Sequence, residues 1–377
     1  MSFCQICNSD NLKRIFKQSS PCVTSIKTLL ETEMQVYHCN SCNHVQVKNS
    51  IDLADFYDKS YDISLDSDNF DQLHKDSSGE YIERTKLQAK VLSSNILETK
   101  NLKVLEFGSG KATTLRHLTK ICNVDPYVFD VSDSYKKYWD KWVPRANQST
   151  YKLPEIWENK FDIICLHYVL EHVSNPVNIL KDLSRFLNKT GVIYFCVPDF
   201  FQNLGDLYVV DHINKFTSES IDELATASNY KIQKKSESEL DNAWLCIFKP
   251  KKENHRNSHV TKDSILNTRI YLERNKSILN EIEKKHYGDK FAIFGAGFYG
   301  TLLASLKEKK VVCFLDNNIH LQDKNLLGKP VYSPDSCPDE VDTVVFAVNP
   351  SKQKEILEDN ISKFSPNKKL IGMLKES

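Results

Sequence analysis

Two glycine-rich turns, each following an apolar segment, are the parts of this sequence best suited to hold a nucleotide or a phosphate. The first, EFGSG, places Gly108 and Gly110 after the segment VLEF. The second, FGAGFYG, places Gly295, Gly297 and Gly300 after FAIF. A glycine turn between a strand and a helix lets a ligand approach the backbone closely, and the start of the helix favours negative charge. Each turn is therefore a candidate cofactor site.

Acidic residues near the first turn indicate which ligand it takes. Glu106 comes at the end of the first strand, where a carboxylate repels a pyrophosphate but attracts a cationic amino group. Asp130 ends the next apolar segment, PYVFD, about 20 residues after Gly108, the position of an acid that binds ribose hydroxyls. The sequence therefore favours a ligand with an amino acid end and a ribose, held by these acids together with Gly108, Ser109 and Gly110.

Three histidines and one aspartate are candidates for acid–base chemistry or cofactor contact. His167 ends the segment FDIICLH, at the same edge as the first turn, and His172 follows in LEHV. Asp211 and His212 lie in a loop after the last central strand, because Thr217 is placed to cap the helix SESIDELATA. An imidazole beside an acid can remove a proton from carbon or oxygen near neutral pH. His212 is thus the candidate base, with Asp211 supporting it; His172 is a second candidate, for which a structural role fits equally well.

Two Cys-x-x-Cys pairs near the amino terminus, in CQICNSD and CNSCNHV, have the spacing of a metal site. The four residues are Cys4, Cys7, Cys39 and Cys42. Two tight turns that each carry two thiolates can complete a tetrahedral zinc site if a short hairpin brings them together. His38 and His44 are alternative ligands beside the second pair. A closed four-cysteine site leaves no position for water, so we expect its zinc to be structural.

The connector DLADFYDKSYDISLDSDNFDQL follows the second cysteine pair and is rich in Asp, Ser and Tyr. Its polarity argues against a core strand and favours a loop or short helix that crosses a surface. Tyr57 and Tyr61 stand about one helical turn apart, so one of them either packs against the next domain or reaches a site. We take Tyr61 as the candidate for the site role.

The elements that must position these residues alternate between strand and helix. After EFGSG, the strand segments PYVFD, FDIICLH and GVIYFCVPD are separated by helical segments such as NPVNILKDLSRFL. This alternation predicts a doubly wound parallel sheet. The segments YKIQKKS and NAWLCIF are expected to close that sheet, with NAWLCIF at its edge. A second α/β alternation begins at FAIFGAGFYG.

Composition and charge argue against several classes of function. The 377 residues include 50 Lys plus Arg and 50 Asp plus Glu, so the net charge is zero. Neither nucleic acid nor a membrane surface is expected as a partner. The cysteine pairs lack the basic stripe with interleaved aromatics of a nucleic-acid-binding zinc ribbon. The start MSFCQICNSD does not resemble a signal segment, and no apolar run has the length of a membrane span. We therefore expect a cytoplasmic protein.

Taken in order, EFGSG, VFDVS, LHYVLEHVSNP and the strand that ends in VPD resemble the class I methyltransferase domain, which uses S-adenosylmethionine. The resemblance implies that Glu106, Gly108, Gly110 and Asp130 contact this cofactor. It also implies that His167 faces the cofactor from the end of its strand.

The whole arrangement resembles a narrower family, the sugar C-methyltransferases of deoxysugar pathways. These also combine cysteine pairs, a tyrosine-rich connector, this core and a further α/β unit. The resemblance implies methylation of a carbon next to a ketone in a nucleotide-linked sugar, with His212 as the base. The family's loop motif is of the Tyr-x-Glu-His type; here it is Val209-Val210-Asp211-His212, so aspartate replaces glutamate and the tyrosine is absent. A sugar O-methyltransferase would use the same histidine to deprotonate a hydroxyl.

The second glycine turn leaves other interpretations open. Gly295, Gly297 and Gly300, with Asp316 about 20 residues further on, have the spacing of a dinucleotide site. That interpretation would make the protein a nicotinamide-dependent oxidoreductase, but no acid–base pair stands beside the turn. Contact with a nucleotide-sugar and a purely structural role are the two stronger alternatives. A zinc-ribbon adaptor without chemistry is disfavoured by the intact EFGSG turn.

These observations predict an α/β protein of several domains. Residues 1–50 form a small zinc-binding domain, and residues 51–252 a doubly wound, Rossmann-like methyltransferase core that includes a helical connector, 51–100. Residues 253–287 are a linker and a helix, and residues 288–377 a second Rossmann-like domain. The expected substrate is a small molecule, a nucleotide-sugar, and the expected cofactors are S-adenosylmethionine and structural zinc. The sequence does not fix the oligomeric state.

Overall fold

The computed structural model describes residues 3–52, 55–60, 71, 73–75, 81–95, 101–237, 239–251 and 260–374. Within them, sheets of four, seven and six strands form the framework in chain order. We call the parts of the chain built on these sheets the amino-terminal, central and carboxy-terminal units. This α/β organisation, with two Rossmann-like sheets, confirms the predicted fold class.

The amino-terminal unit is a small antiparallel sheet with an added hairpin. Its strands are β1 (Leu12–Gln18), β2 (Cys22–Val23), β3 (Leu29–Leu30), β4 (Met34–Cys39) and β5 (Val45–Lys48). β4 pairs antiparallel with both β1 and β5, while β2 and β3 pair with each other. Leu12 at the start of β1 lies opposite Cys39 at the end of β4. This register brings the turn with the first cysteine pair next to the turn with the second.

The central unit alternates strands and helices. Its elements are β6 (Leu73–Lys75), β7 (Tyr81–Glu83), α1 (Arg84–Ser94), β8 (Leu102–Phe107), α2 (Thr113–Ile121), β9 (Val124–Asp130), α3 (Lys136–Trp139), β10 (Gln148–Thr150), β11 (Phe161–His167), α4 (Pro176–Leu183), β12 (Leu187–Pro198), β13 (Asn214–Lys215), α5 (Ser218–Ala227), β14 (Tyr230–Ser236) and β15 (Ala243–Pro250). The predicted cap of α5 is present, because the Thr217 hydroxyl accepts from Ser220 N at 3.1 Å.

The central sheet has the order β10-β9-β8-β11-β12-β15-β14. The first five strands are parallel, as predicted, and β15 is antiparallel to both of its neighbours. The chain moves outward from β8 to β9 and β10, then returns to β11 on the other side of β8. In such sheets, ligands bind at the carboxyl ends of the strands beside this switch point. Glu106 and His167 lie at the ends of β8 and β11.

The strand at the edge of this sheet differs from the prediction. The segment NAWLCIF belongs to β15, which lies inside the sheet between β12 and β14. Leu245, Cys246 and Phe248 of β15 are buried, as expected of a strand that is paired on both sides. The edge strand is β14, whose sequence YKIQKKS is rich in lysine. Lysines at an edge discourage pairing with another chain, so the lysine content was the better signal.

The carboxy-terminal unit is a second doubly wound sheet preceded by helices. Its elements are α6 (Lys262–Asn275), α7 (Ile278–Lys284), β16 (Phe291–Phe294), α8 (Phe298–Lys307), β17 (Val311–Leu315), β18 (Asn325–Leu326), β19 (Lys329–Tyr332), β20 (Thr343–Phe346), α9 (Gln353–Asn360) and β21 (Lys369–Gly372). The strand order is β18-β19-β17-β16-β20-β21, and all strands except β18 are parallel. None of the described helices has the length and apolarity needed to cross a membrane.

Residues 199–217, between β12 and α5, lie where the three units meet. Their end forms β13, which pairs antiparallel with β5 and so completes the amino-terminal sheet. Val210 N donates to the Val23 carbonyl at 3.0 Å. The hydroxyl of the buried Tyr208 donates to the carbonyl of Asn275 at the end of α6. This segment, which we call the central loop, is therefore held by all three units.

Candidate active site

The first glycine turn has the geometry of a ligand-binding turn. Gly108 and Gly110 have φ angles of 71° and 49°, in the left-handed region that favours glycine. A Cβ on Gly108 would lie 2.7 Å from Cγ2 of Val169, so a larger residue does not fit there. The Gly110 carbonyl accepts a hydrogen bond of 2.7 Å from the indole of the buried Trp139. These contacts keep the turn small and fixed in front of α2.

Asp130, at the end of β9, is directed at this turn. One of its carboxylate oxygens accepts a hydrogen bond from Gly110 N at 2.8 Å, and the other accepts one from Ser132 N at 3.2 Å. Burial raises the pKa of Asp130 to about 6, although these backbone hydrogen bonds act to lower it. A carboxylate that accepts two hydrogen bonds keeps further lone pairs. Asp130 can therefore also accept from the hydroxyls of a ribose.

Glu106 and His167 form a buried pair at the switch point of the sheet. Oε1 of Glu106 lies 3.2 Å from Nδ1 of His167, and the side chains are 5% and 7% exposed. Among the described residues, Glu106 Oε2, His167 Nε2 and the Ser109 hydroxyl have no hydrogen-bond partner, although all three atoms are buried. Buried polar atoms are normally paired, so these atoms mark positions for ligand groups. The set fits S-adenosylmethionine, whose amino group suits the carboxylate of Glu106.

His212 lies in the central loop and packs against His172. The two ring centroids are 4.7 Å apart, with an angle of 80° between the rings. Nδ1 of His212 is hydrogen-bonded to Oδ1 of the buried Asp206. The acid in contact with His212 is therefore Asp206, six positions earlier in the loop, rather than its neighbour Asp211.

Asp211 supports the same site from another direction. Its two oxygens accept hydrogen bonds from the backbone N of Ser25 at 2.7 Å and from the Ser25 hydroxyl at 2.6 Å. Its Oδ2 also lies 3.6 Å from Nδ1 of His172. The sequence neighbour of His212 therefore contacts the amino-terminal unit and His172.

Burial and neighbouring charges set the ionisation of the histidines. Burial lowers the pKa of His172 to about 4, and the charge of His212 adds to this shift. Burial also acts to lower the pKa of His212, but Asp206 outweighs it and the net shift is upward. Burial acts to raise the pKa of Asp206, but the charges of Lys215 and His212 outweigh it and the net shift is downward. His172 is thus neutral at neutral pH, and Asp206 makes His212 the more basic of the two imidazoles.

Lys215 organises the central loop and was not identified from the sequence. Its side chain is fully buried, and its amine donates to the carbonyls of Asp206, of Val209 at 3.3 Å and of His212 at 3.1 Å. The loop is therefore folded around one buried ammonium group. Neither Asp206 nor Lys215 has a local sequence signal for this role, because their contacts depend on how the loop closes.

Glu171 is the third residue of the site that sequence reasoning did not select. It is fully buried, and neither carboxyl oxygen has a hydrogen-bond partner among the described residues. One side-chain oxygen of Glu171 and one ring nitrogen each of His172 and His212 lie within 4.8 Å of one another. The sequence feature that could have identified Glu171 is its position next to His172 in LEHV.

A tyrosine of the connector reaches this cluster. The hydroxyl of Tyr57 lies 2.5 Å from Nδ1 of His172 and 3.2 Å from the carbonyl oxygen of Asp211. The ring of Tyr57 also packs edge-on against the ring of His172. Tyr61, the tyrosine predicted for the site, lies outside the described residues.

The two cysteine pairs come together at the edge of the amino-terminal sheet. Sγ of Cys4 lies 3.5 Å from Sγ of Cys42, and Sγ of Cys7 lies 3.6 Å from Sγ of Cys39. All four sulfurs lie within 4.8 Å of one another and could hold a metal ion.

The two neighbouring histidines are used elsewhere. His38 Nε2 is hydrogen-bonded to the side-chain oxygen of Asn43 at 2.7 Å, and His44 Nε2 to that of Asn214 at 3.1 Å. Among the described residues, the cluster that could hold a metal ion consists of the four cysteines and includes neither histidine.

Comparisons with known proteins agree with the geometry of the first turn. Residues 78–235 match a family described as "Methyltransferase domain". This range contains the EFGSG turn, Asp130, His167 and His172, together with the helix that follows the central loop. The chain matches none of the curated proteins with which it was compared.

Several solved structures are similar to a part of the chain. One is a chain from the complex between the Haloferax volcanii Trm112 methyltransferase activator and a putative methyltransferase. It is 13% identical over 45% of this chain and 91% of its own, with a TM-score of 0.38. A SAM-dependent methyltransferase from Aquifex aeolicus is 16% identical over 46% of this chain and 93% of its own, with a TM-score of 0.35. A putative S-adenosylmethionine-dependent methyltransferase from Listeria monocytogenes is 12% identical over 45% of this chain and 100% of its own, with a TM-score of 0.36. Residues 78–235 therefore match a methyltransferase domain, and the geometry of the first glycine turn agrees with that match.

Proposed function

We propose that this protein transfers a methyl group from S-adenosylmethionine to a carbon next to a ketone in a nucleotide-linked sugar, with His212 as the base. The observation that carries the proposal is the contact between the His212 ring and Asp206 in the central loop. Asp206 accepts from Nδ1–H, which leaves Nε2 to take a proton from the substrate. The remaining support is the resemblance of the chain, from cysteine pairs to carboxy-terminal unit, to sugar C-methyltransferases.

The chemical step needs a base and a cofactor that is held in a fixed position. Nε2 of His212 removes the proton from the carbon next to the ketone, and the C–H electron pair forms an enolate. S-adenosylmethionine, held by Glu106 and Asp130, would supply its sulfonium methyl group to the enolate carbon and would leave as S-adenosylhomocysteine. Asp206 stabilises the imidazolium that forms. Positioning of the two reactants supplies much of the rate.

Replacing His212 by Ala should lower the rate of proton removal by about 100-fold or more, because no neighbouring group has the same placement and ionisation. The rate can be measured as deuterium uptake from D₂O by nucleoside-diphosphate-linked 4-keto-6-deoxyhexoses, next to the ketone and without cofactor. His286→Ala, at an exposed histidine, is the matched control. Full exchange by the His212 variant would contradict the base assignment. If a sugar labelled with deuterium at its carbons is methylated and keeps all of that deuterium, no C–H bond has been broken. That result would instead favour O-methylation.

The cofactor assignment predicts separate losses at its two ends. Asp130→Ala removes the proposed acceptor for the ribose hydroxyls, and Glu106→Gln removes the charge opposite the amino group. Hydrogen bonds to charged groups contribute about 1.5–3 kcal/mol, so each variant should bind S-adenosylhomocysteine about 10-fold to 100-fold more weakly in calorimetric titration. Asp133→Ala, at a half-exposed neighbour, should bind like the wild type. Unchanged affinity of the Asp130 variant would argue against the ribose contact.

Zinc in the amino-terminal unit is part of the proposal. Four ligands at zinc–sulfur distances of about 2.3 Å in a tetrahedron lie about 3.8 Å from one another. The sulfur pairs at 3.5 and 3.6 Å are compatible with that size. Such a site is closed, so its contribution is to hold the two turns of the amino-terminal sheet together. Because β5 of this sheet pairs with β13, the metal also steadies the loop that carries His212.

Cys39→Ser should therefore lose zinc and lower the melting temperature. It should reduce deuterium exchange at the sugar more than affinity for S-adenosylhomocysteine, because the cofactor turn lies in a different sheet. Zinc content is measured by atomic emission, and Cys337→Ser, at a half-buried cysteine of the carboxy-terminal unit, is the control. A wild-type protein purified without zinc, yet fully stable in the presence of a chelator, would contradict a structural metal.

Glu171 gives the site a distinct dependence on pH. Burial raises its pKa from 4.5 to about 8, although the charge of His212 acts to lower it. The unfolded chain then loses this proton near pH 4.5 and the folded protein near pH 8. The contribution of Glu171 to the free energy of unfolding is therefore fully present below pH 4.5 and is lost as the pH rises to about 8.

Glu171→Gln should consequently stabilise the protein little at pH 5 and clearly at pH 8, because glutamine avoids the buried charge that Glu171 acquires as the pH rises. The free energy of unfolding of the variant should exceed that of the wild type by an amount that grows by up to about 1.4 kcal/mol per pH unit across that interval. Thermal unfolding at both pH values measures it, with Glu155→Gln at an exposed position as control. An equal effect at pH 5 and pH 8 would rule out the raised pKa.

A further inference from the structure

The second glycine turn repeats the hydrogen bonds of the first. Asp316, just after β17, accepts from Ala296 N at 2.8 Å and from Asn318 N at 2.8 Å. Asp130 makes the corresponding bonds to Gly110 N and to the residue two positions after itself. In both cases the donor in the turn precedes the acid by 20 positions. Both units therefore direct an acid at the backbone of a glycine turn, which donates from its second glycine, Gly110, in the first turn and from Ala296, between two glycines, in the second.

One strand residue distinguishes the two turns. The segment AIF before GAG corresponds to LEF before GSG, so Ile293 stands where the first turn has Glu106. Ile293 is fully buried and offers no acceptor to an amino group. The second turn is therefore suited to a ribose, through Asp316, but not to the amino acid end of S-adenosylmethionine.

Gly297 is a glycine that the fold does not require. Gly295 has a φ of 104°, and a Cβ on Gly300 would lie 1.9 Å from the Gly295 carbonyl oxygen, so both positions need glycine. Gly297 has an extended backbone, with φ −100°, which other residues adopt readily. A Cβ on Gly297 would meet no described atom within 4 Å. Space for a ligand that approaches the backbone explains this glycine, as in dinucleotide-binding turns.

A cleft of about 340 Å³ opens at this turn, between the carboxy-terminal and central units. Tyr299, Asp316 and Asn349 line it from one side, and Asn203 and Asn242 from the other. Small-molecule sites have volumes of about 300–1,000 Å³, so a cleft of this size suits one nucleotide better than an extended dinucleotide. The polar residues of its lining offer hydrogen bonds to a nucleotide, and Phe298 and Val348 give it an apolar part.

The amino-terminal unit brings positive charge to the same place. Lys27 lies in the turn between β2 and β3, where its backbone N donates to the Thr24 carbonyl at 3.0 Å. Burial lowers the pKa of Lys27, the charge of Asp316 opposes this shift, and Lys324 adds to it. Lys27 is therefore within electrostatic range of Asp316, the acid in the cleft. Its charge favours phosphate groups bound at the start of α8, where the helix itself favours negative charge.

The cleft is also connected to the proposed base. The backbone N of Gly205 donates to the Tyr299 hydroxyl at 2.7 Å, and the next residue, Asp206, holds His212. On the other side, the β2–β3 turn contacts Asp211 through Ser25, two positions before Lys27. A ligand in the cleft thus lies against the central loop, which lines the cleft through Asn203 and carries Asp206 and His212.

We infer that the cleft at Gly297 and Asp316 binds the ribose and diphosphate of the substrate, with the attached sugar directed toward His212. This assignment rests on the proposed function for the nucleotide-linked nature of the substrate. In this assignment the glycine turn of the carboxy-terminal unit anchors the nucleotide of the substrate, while the EFGSG turn of the central unit holds the cofactor.

Calorimetric titration of the full-length protein with dTDP, UDP and GDP, each with S-adenosylhomocysteine present, tests the inference. One of them should bind the wild type, and Gly297→Val should weaken that binding at least 10-fold. The melting temperature and the affinity for S-adenosylhomocysteine should stay unchanged, because a side chain at Gly297 meets open space. Asp316→Asn should also weaken nucleotide binding, whereas Asp339→Asn, at an exposed position, should not.

Two results would overturn the inference. One is that no nucleoside diphosphate binds, or that one binds equally well to the wild type and to Gly297→Val. The other is binding of NAD⁺ in place of the diphosphates, abolished by the same substitution. The proposed function fails separately, if a nucleotide binds in a Gly297-dependent way but no linked keto-sugar undergoes exchange or methylation. Exchange and methylation of a nucleotide-linked keto-sugar that are unaffected by Gly297→Val, with no binding of free nucleoside diphosphate, would overturn the inference alone.

Discussion

The pairing of β13 with β5 is the constraint on which the arrangement of the histidines depends. It is only two residues long, Asn214 and Lys215, yet it makes the end of the central loop a strand of another unit's sheet. The side chain of Asn214 accepts from His44 Nε2 at 3.1 Å and donates to the carbonyls of Leu170 and Val173 at 2.9 and 2.7 Å. One buried amide therefore links the amino-terminal sheet to the turn that contains His172. The relative position of the two histidines follows from this link.

Two buried charged residues, Lys215 and Asp206, hold the central loop in one conformation. Removing Lys215 and Asp206 from water is costly unless each finds partners. Their charged atoms lie 3.9 Å apart, and Lys215 also binds backbone carbonyls on both sides of the loop. A loop that opened would leave the ammonium group buried without these partners. The electrostatic environment that raises the pKa of His212 thus exists only when the loop is closed, so folding and base strength are coupled.

The sequence predicted those features that depend on local pattern and spacing. The glycine turns, the acid that follows each of them, the cysteine pairs and the parallel core of the central sheet are all set within short segments, and the structure has each of them. The partner of His212 was not predictable in this way. Asp206 and Asp211 are both acids in the same loop, and the choice between them depends on which side of the chain faces Ser25. The edge of the central sheet was also predicted wrongly, because strand order is decided by the packing of β15 between two neighbours rather than by sequence order.

Under the two proposed assignments, a small difference in sequence changes the ligand of a Rossmann-like unit. Both turns have an acid that accepts from the turn and from the second residue after itself, and each acid is proposed to bind a ribose. Only the first has a carboxylate on the preceding strand, at Glu106, with an oxygen that no described residue satisfies. At the second, Ile293 removes that acceptor, and Lys27 of the β2–β3 turn adds positive charge instead. An uncompensated carboxylate favours a cationic amino group, whereas an apolar strand end near a lysine favours phosphate. Because the central loop contacts both units, two ligands chosen in this way would meet at the histidines between them.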